Sequence, residues 1–384
     1  MPTIRSFFRA CPFMRICFLL RNISLPSGIE RVTSVVANRL AEKGVDVSIV
    51  SLWGGLEPFY DKHEAVKLYQ LFPEQVTEKN RVVALGKRLG RFPAASHKLR
   101  KLLKKYPQDI LIDTDYLLGQ VALPALVGLG VKHIHWEHFH FNLDLDKPHK
   151  LLGRRLLARR TSAIVTLTER DVGYWQEGAR PGGPVMAIHN PVPFERPDVQ
   201  YDPDTRVVLA VGRLNRQKGF DHLLEAWAKV RIDSEDNASP WQLVVLGSGE
   251  EEAALKKQCQ ELEIAHSVTF VPATRDVESY YRKASMLAMS SRYEGFGMVL
   301  LEAQTYRLPI VAFDCDVGPA EVITHEKNGL LVSPGDIKDF SAQLQKLMDD
   351  RDMRCHFSSK TDESVDRFMP DPIADRWIDL FRSL

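Results

Sequence analysis

The chain has 384 residues, 44% hydrophobic and 26% charged, with a formal net charge of +1. That length suggests two domains, and the composition is that of a soluble globular protein. The near-neutral balance speaks against nucleic acid, and no apolar run approaches the roughly 18 residues of a membrane span. Cys11, Cys17, Cys259, Cys315 and Cys355 are scattered, with no CxxC and no metal spacing, which fits a reducing compartment.

The N-terminus imitates a secretory signal, with Arg5 and Arg9 ahead of apolar residues. Arg15 interrupts the apolar part, Arg21 follows it, and no small-x-small cleavage site is evident. Residues 1–13 are therefore expected to be a loose leader, with Met14 as an alternative start and 14–20 as the first strand. Further strands are expected at 45–52, 109–113, 131–136, 163–167 and 185–188, and a helix at 29–43 that stops at Gly44. Near-continuous apolar strands of this kind belong to a parallel sheet covered by helices on both faces. A Pro- and Asp-rich stretch, 191–205, reads as a hinge between a first domain at 14–190 and a second at 206–370. The second series has strands at 207–211, 242–246, 268–271, 285–290, 310–313 and 330–332, and helices near 220–231, 250–262 and 319–324. Residues 371–384 form an amphipathic helix expected to pack back on the first domain, with Pro370 and Pro372 breaking the helix before it. The fold class is α/β: two doubly wound domains joined by a hinge, with a cleft between them.

The chemistry gathers at strand ends. After the strand at 285–290, Glu294-Gly295-Phe296-Gly297 makes a tight loop, and Met298 and Val299 open a helix that carries Glu302. Glycines let the backbone approach a ligand, and free N–H groups at a helix start favour phosphate. Two carboxylates around such a loop suit a nucleotide sugar, while two solvated glutamates are the plainer alternative. Gly212 and Arg213 through Lys218 leave the strand at 207–211, so a guanidinium and an ammonium are placed to clamp a diphosphate, or else lie in solvent. Gly247 and the Pro272-Ala273 pair end neighbouring strands and are weaker signals. In the first domain, Gly28 opens a helix without a GxGxxG dinucleotide fingerprint. The histidine-dense run from His133 to His140 lacks a nearby cysteine partner. His133 and His135 share one strand face, and His138, just past the strand end, reads as a cleft group or a histidine packed under a loop. DxD triplets occur at Asp113, Asp144 and Asp314, too often in one chain to identify a metal site. Basic stretches run from Lys87 to Lys105 and from Lys147 to Arg160, interleaved with leucines, and suit either an anionic membrane surface or a solvated helix face.

These residues resemble the retaining glycosyltransferases of the GT-B fold, family four, of the bacterial surface-polysaccharide type. The resemblance rests on Glu294 and Glu302 as an E-x7-E motif, Gly212-Arg213-Leu214 with Lys218-Gly219, the Asn190-Pro191-Val192 hinge, and Gly318-Pro319 followed by Asn328-Gly329. It implies two Rossmann-like domains facing each other across a cleft, a nucleotide-sugar donor, UDP-linked by preference, and no metal or other cofactor. It further implies that Arg213 and Lys218 hold the diphosphate and Glu294 the sugar hydroxyls. The amides of Gly295, Phe296 and Gly297 would lie against sugar and phosphate, Glu302 would take the ribose, and His138 would sit beside the transferred sugar. Gly28 matches the second glycine of a Gly-Gly loop in which Ser27 departs from the pattern. The implied reaction is hexose or N-acetylhexosamine transfer with retention to a glycan or polyprenyl-linked acceptor, for lipopolysaccharide, capsule or exopolysaccharide. The place would be the cytoplasm, peripheral to the inner membrane. Two other functions fit the architecture: a sugar-nucleotide epimerase, and a non-catalytic nucleotide-sugar binder docked at a membrane.

Overall fold

The computed structural model describes residues 14–73, 81–143, 145, 147–194, 196–198, 200–230 and 240–384, with the backbone alone at 81–91. The leader at 1–13, Asp144 and Asp146, and the side chains from Lys87 to Arg91 lie outside this description.

The chain divides into two compact units, one holding the residues up to Pro191 together with Pro370–Leu384, the other Val192–Met369. In the first unit the strands are β1 (Arg15–Leu20), β2 (Asp46–Ser51), β3 (Lys67–Gln70), β4 (Ile110–Asp113), β5 (Lys132–Trp136), β6 (Ala163–Thr166) and β7 (Val185–Ala187). Its helices are α1 (Gly28–Glu42), α2 (Arg81–Lys105), α3 (Tyr116–Leu126), α4 (Pro148–Arg160) and α5 (Glu169–Ala179). In the second unit the strands are β8 (Val207–Val211), β9 (Gln242–Leu246), β10 (Val268–Val271), β11 (Met286–Met289), β12 (Ile310–Phe313) and β13 (Gly329–Val332). The helices there are α6 (Phe220–Trp227), α7 (Glu252–Glu261), α8 (Glu278–Arg282), α9 (Met298–Thr305), α10 (Pro319–Val322), α11 (Ile337–Asp349) and α12 (Arg351–Val365). The last helix, α13 (Pro370–Ser383), belongs to the first unit.

Each unit is built on one parallel sheet, in the order β3-β2-β1-β4-β5-β6-β7 and β10-β9-β8-β11-β12-β13. Alternation along β1 shows how both faces are covered. Cys17 and Leu19 join a core with Leu99 of α2 and Val121 of α3, whereas Phe18 meets Trp377 of α13 edge-on at 6.5 Å. Trp377 also packs on Trp136 at 4.9 Å, and Lys43 at the end of α1 pairs with Asp375 at 2.8 Å. Pro370 and Pro372 open α13 rather than ending its predecessor, since α12 has already stopped at Val365. Proline has no N–H to lose in a first helical turn. Residues 192–205 belong to the second unit: Val192 N donates to Phe368 O at 2.8 Å and Tyr201 Oη to Ser285 O at 2.7 Å. Among the described residues no helix is long and apolar enough to cross a membrane.

Candidate functional site

In the second unit the strand order reverses between β8 and β11, with β9 and β10 on one side and β12 and β13 on the other. Loops leaving the carboxyl ends of two such strands diverge and open a crevice. The β8 and β11 loops are stitched together at its floor. Arg292 N donates to Gln217 O at 2.8 Å, Gln217 Nε2 to Tyr293 O at 3.1 Å, and Ser290 Oγ to Lys218 O at 3.2 Å. This approach needs glycine at 219, where φ is 62° and a Cβ would stand 2.1 Å from Ser290 O.

The stitching brings Lys218 and Glu294 into one ion pair, Nζ to Oε1 at 2.6 Å, with side-chain exposures of only 18% and 7%. The fully buried Ser291 donates its hydroxyl to the same Oε1 at 2.6 Å. A sheltered ion pair is maintained when additional hydrogen bonds compensate for lost water, and Ser291 supplies one. Arg213 does not join them. Its guanidinium lies at the surface, 3.1 Å from Glu250, with both side chains more than half exposed. Such a pair is held weakly.

Gly212 and Gly247 serve the loops themselves. A Cβ on Gly247 would fall 1.8 Å from Gly212 O, and one on Gly212 would press the Lys218 stem at 3.2 Å. Pro272 and Ala273 are exposed after β10, and Ala273 N donates to Ser248 Oγ at 3.1 Å. Gly295, Phe296 and Gly297 are buried. The Phe296 ring packs on Phe368 at 5.7 Å, so its side chain belongs to the core. Met298 and Val299 are half-buried in the first turn of α9, whose N–H groups have no partner within the helix. Glu302, on the same helix, is 7% exposed and accepts from Tyr281 Oη at 2.8 Å.

In the first unit, Gly28 begins α1 and a Cβ there would meet nothing within 4 Å. His138 follows β5 and is 8% exposed, its ring 4.3 Å from that of Trp136 and its buried Nε2 without a hydrogen-bond partner. Burial pulls the imidazole down to about 3, so it is neutral. The neighbouring histidines serve another end. Asp113 accepts from His133 Nε2 and from His135 Nδ1, each at 2.7 Å. Register places Asp113 opposite His135 and Leu111 opposite His133, so the two histidines on one strand face converge on one carboxylate. Glu137 lies 3.8 Å from His135 and 3.3 Å from Arg154. Burial opposes charge on His135, but the charge and hydrogen bond of Asp113, with Glu137 adding, raise it to about 10. Burial likewise opposes charge on Glu137, and its bond to His135 and the Arg154 charge outweigh that, bringing it to about 2. Arg154 is 3% exposed and also donates to Phe141 O at 3.0 Å and Leu143 O at 2.6 Å. It is therefore a buried tie of the loop carrying His138 and no part of a basic surface. Among the described residues no cluster of histidine, cysteine and carboxylate side chains forms a metal-holding group.

Sequence patterns alone did not single out Ser291, Tyr281 or Arg154, and they marked Asp113 only as part of a DxD triplet and not as the partner of two histidines. A serine three residues before the loop glutamate was a usable signal, whereas the partners of Glu302 and Glu137 come from other elements.

Comparison with known proteins bears on the whole arrangement. The family described as Glycosyl transferases group 1 matches residues 192–364, and Glycosyltransferase Family 4 matches residues 26–196. An uncharacterized glycosyltransferase of Haemophilus influenzae is 33% identical over 363 residues, covering 94% of this chain and 98% of that protein. The amylovoran biosynthesis glycosyltransferase AmsD of Erwinia amylovora is 28% identical over 380 residues, covering 95% and 99%. The solved structure of Anabaena Alr3699/HepE in complex with UDP has a TM-score of 0.77 at 18% identity, covering 97% of this chain and all of that one, a likeness of fold. With a loop–helix E-x7-E motif at the switch point of one parallel sheet and a second such sheet before it, the chain belongs to the group 1, family 4 glycosyltransferases of GT-B fold.

Proposed function

We propose that the protein is a retaining, metal-independent glycosyltransferase. It moves a hexose or N-acetylhexosamine from a UDP-linked donor to a glycan or lipid-linked glycan in surface-polysaccharide assembly. The Lys218–Glu294 pair at the β8–β11 switch point carries this reading. A cation and a carboxylate held side by side, above the free N–H groups at the start of α9, match a ligand with a diphosphate next to sugar hydroxyls. The AmsD likeness supports the polysaccharide class, and the UDP complex of the Anabaena protein supports the base.

In this reading Lys218 releases Glu294 to the sugar hydroxyls and turns to the diphosphate, where Arg213 joins it from its loose surface pair. Both cations then stabilise charge developing on the leaving nucleoside diphosphate. Backbone N–H groups of Gly295, Phe296 and Gly297 support sugar and phosphate, while Gly212, Gly247, Pro272, Ala273, Met298 and Val299 form the walls. Glu302 takes the ribose. Gly28 leaves room for a phosphate, and His138, neutral, serves as a hydrogen-bonding group beside the transferred sugar. The acceptor hydroxyl attacks the face that the nucleotide leaves. Lys101, Lys104, Lys105, Arg155 and Arg159, with the exposed Leu152 and Leu156, would meet an anionic membrane surface where a lipid-linked acceptor resides.

The test is nucleotide-sugar turnover by purified protein with acceptor extract. Wild type is expected to release UDP and extend the acceptor, and Glu294→Ala and Lys218→Ala to abolish both while keeping the wild-type circular-dichroism spectrum. Unchanged turnover in either variant, or a new nucleotide sugar from donor alone, would overturn the proposal.

A further inference from the structure

Glu302 is held by a neighbour that the motif does not contain. Tyr281, on α8, is 1% exposed, and its hydroxyl donates to Glu302 Oε2 at 2.8 Å. The direction is fixed by chemistry, since a carboxylate offers only acceptors. Tyr281 is in turn immobilised. Its ring lies parallel to that of Tyr306, with 10° between planes and centroids 5.3 Å apart. Tyr306 donates to Glu278 Oε2 at 2.5 Å and has the Arg282 guanidinium over its ring at 5.4 Å. Glu278, Tyr281 and Arg282 share the single turn of α8, so two of its side chains grip Tyr306 while the third holds Glu302. A buried phenol hydroxyl requires a partner, and phenylalanine would fill the same apolar slot without requiring one. The hydroxyl is therefore explained by the carboxylate it holds.

We propose that Tyr281 is a positioning residue that sets recognition of the nucleotide ribose. It fixes one oxygen of Glu302, so that the carboxylate meets the ribose hydroxyls in a single orientation and with little rotamer freedom left to lose on binding. This rests on the reading of the second unit as a UDP-sugar site. A site arranged to bond a hydroxyl rejects the analogue that lacks it far more strongly than an apolar site does. Tyr281 makes Glu302 such a site, and the selectivity it confers is for ribonucleotides over deoxyribonucleotides.

The experiment is calorimetric titration of wild type, Tyr281→Phe and Glu302→Gln with UDP, 2′-deoxy-UDP and 3′-deoxy-UDP. Wild type is expected to prefer UDP over at least one deoxy analogue by about tenfold, the scale of one well-placed hydrogen bond to a charged group. Tyr281→Phe is expected to lose roughly three- to tenfold in UDP affinity, to keep its affinity for that analogue, and so to lose most of the discrimination. Glu302→Gln is expected to lose discrimination as well, and the double variant to be no worse than Glu302→Gln alone. Equal weakening of all three ligands in Tyr281→Phe, or discrimination left intact, would overturn the inference while leaving the donor site standing. Failure of wild type to bind UDP at all would overturn both. A melting curve of each variant identifies loss of fold, and 4-fluorophenylalanine at position 281 keeps the ring without a hydroxyl donor if Tyr281→Phe does not fold.

Discussion

At the scale of single residues, the loops after β8, β9 and β11 depend on two backbone approaches and one core anchor. Gly219 and Gly247 each lie against a carbonyl oxygen that any Cβ would strike, at 2.1 Å and 1.8 Å. Gly219→Ala should cost about 2 kcal/mol or more and separate the β8 and β11 loops. Urea unfolding would show the loss of stability, and UDP titration a parallel loss of affinity. Phe296 is 2% exposed against Phe368 and should behave as a core residue despite its place in a glycine loop. Phe296→Ala is expected to cost roughly 3–5 kcal/mol, so chemical denaturation should move its midpoint strongly. Phe296→Leu should keep most of both stability and turnover, because an apolar side chain still fills the place against Phe368. Arg213 presents the opposite case. Its resting partner is an exposed Glu250, so Glu250→Ala should leave the denaturation midpoint where it is in the same assay.

At the scale of elements, the loop after β5 is held mainly by α4 and α5. Arg154 donates to two of its carbonyls and Glu137, while Asp171 of α5 accepts from Phe141 N at 2.7 Å. Removing one partner of a buried charge pair leaves the other uncompensated, at about 3–5 kcal/mol. Arg154→Met should accordingly destabilise the first unit, seen as faster proteolysis between β5 and α4, and lower turnover through the misplaced His138. The C-terminal helix is a second such case. Trp377 packs on Trp136 and Phe18, and Arg376 donates to Ala187 O at 2.6 Å. Deleting α13 uncovers those rings, and the shortened chain is expected to bind a dye specific for exposed apolar surface.

At the scale of the whole molecule, buried ionisable groups set the pH response. His135 is raised to about 10 by Asp113 and Glu137 against the cost of burial, and Asp171 to about 8 by burial. Between pH 6.5 and 8 the folded chain therefore holds protons on both groups that the unfolded chain releases. The His135 contribution is complete below its unfolded value and disappears as pH rises through its folded one; the Asp171 contribution declines up to pH 8. Each proton gives a slope of up to about 1.4 kcal/mol per pH unit, with stability falling as pH rises. Urea titrations across that window should show this decline, and Asp171→Asn should make it shallower.

Among the described residues, every strand of the second unit and all but β3 of the first were legible from the sequence, as was the E-x7-E loop, because a parallel sheet buried on both faces writes its strands as short apolar runs ending in glycine loops. The edge strand β3, KLYQ, has no such run and leaves no comparable signal. By itself the sequence determined two α/β units and the family to which Glu294, Glu302, Lys218 and Arg213 belong, since local periodicity and motif spacing are properties of neighbours in the chain. Tertiary structure alone decided which of those charges meet. It paired Lys218 with Glu294 and left Arg213 at the surface, joined His133 and His135 through Asp113, buried Arg154, and set Tyr281 against Glu302. Each of these contacts links elements separated along the chain, and each is fixed by strand order, register and burial, quantities that no local stretch of sequence contains.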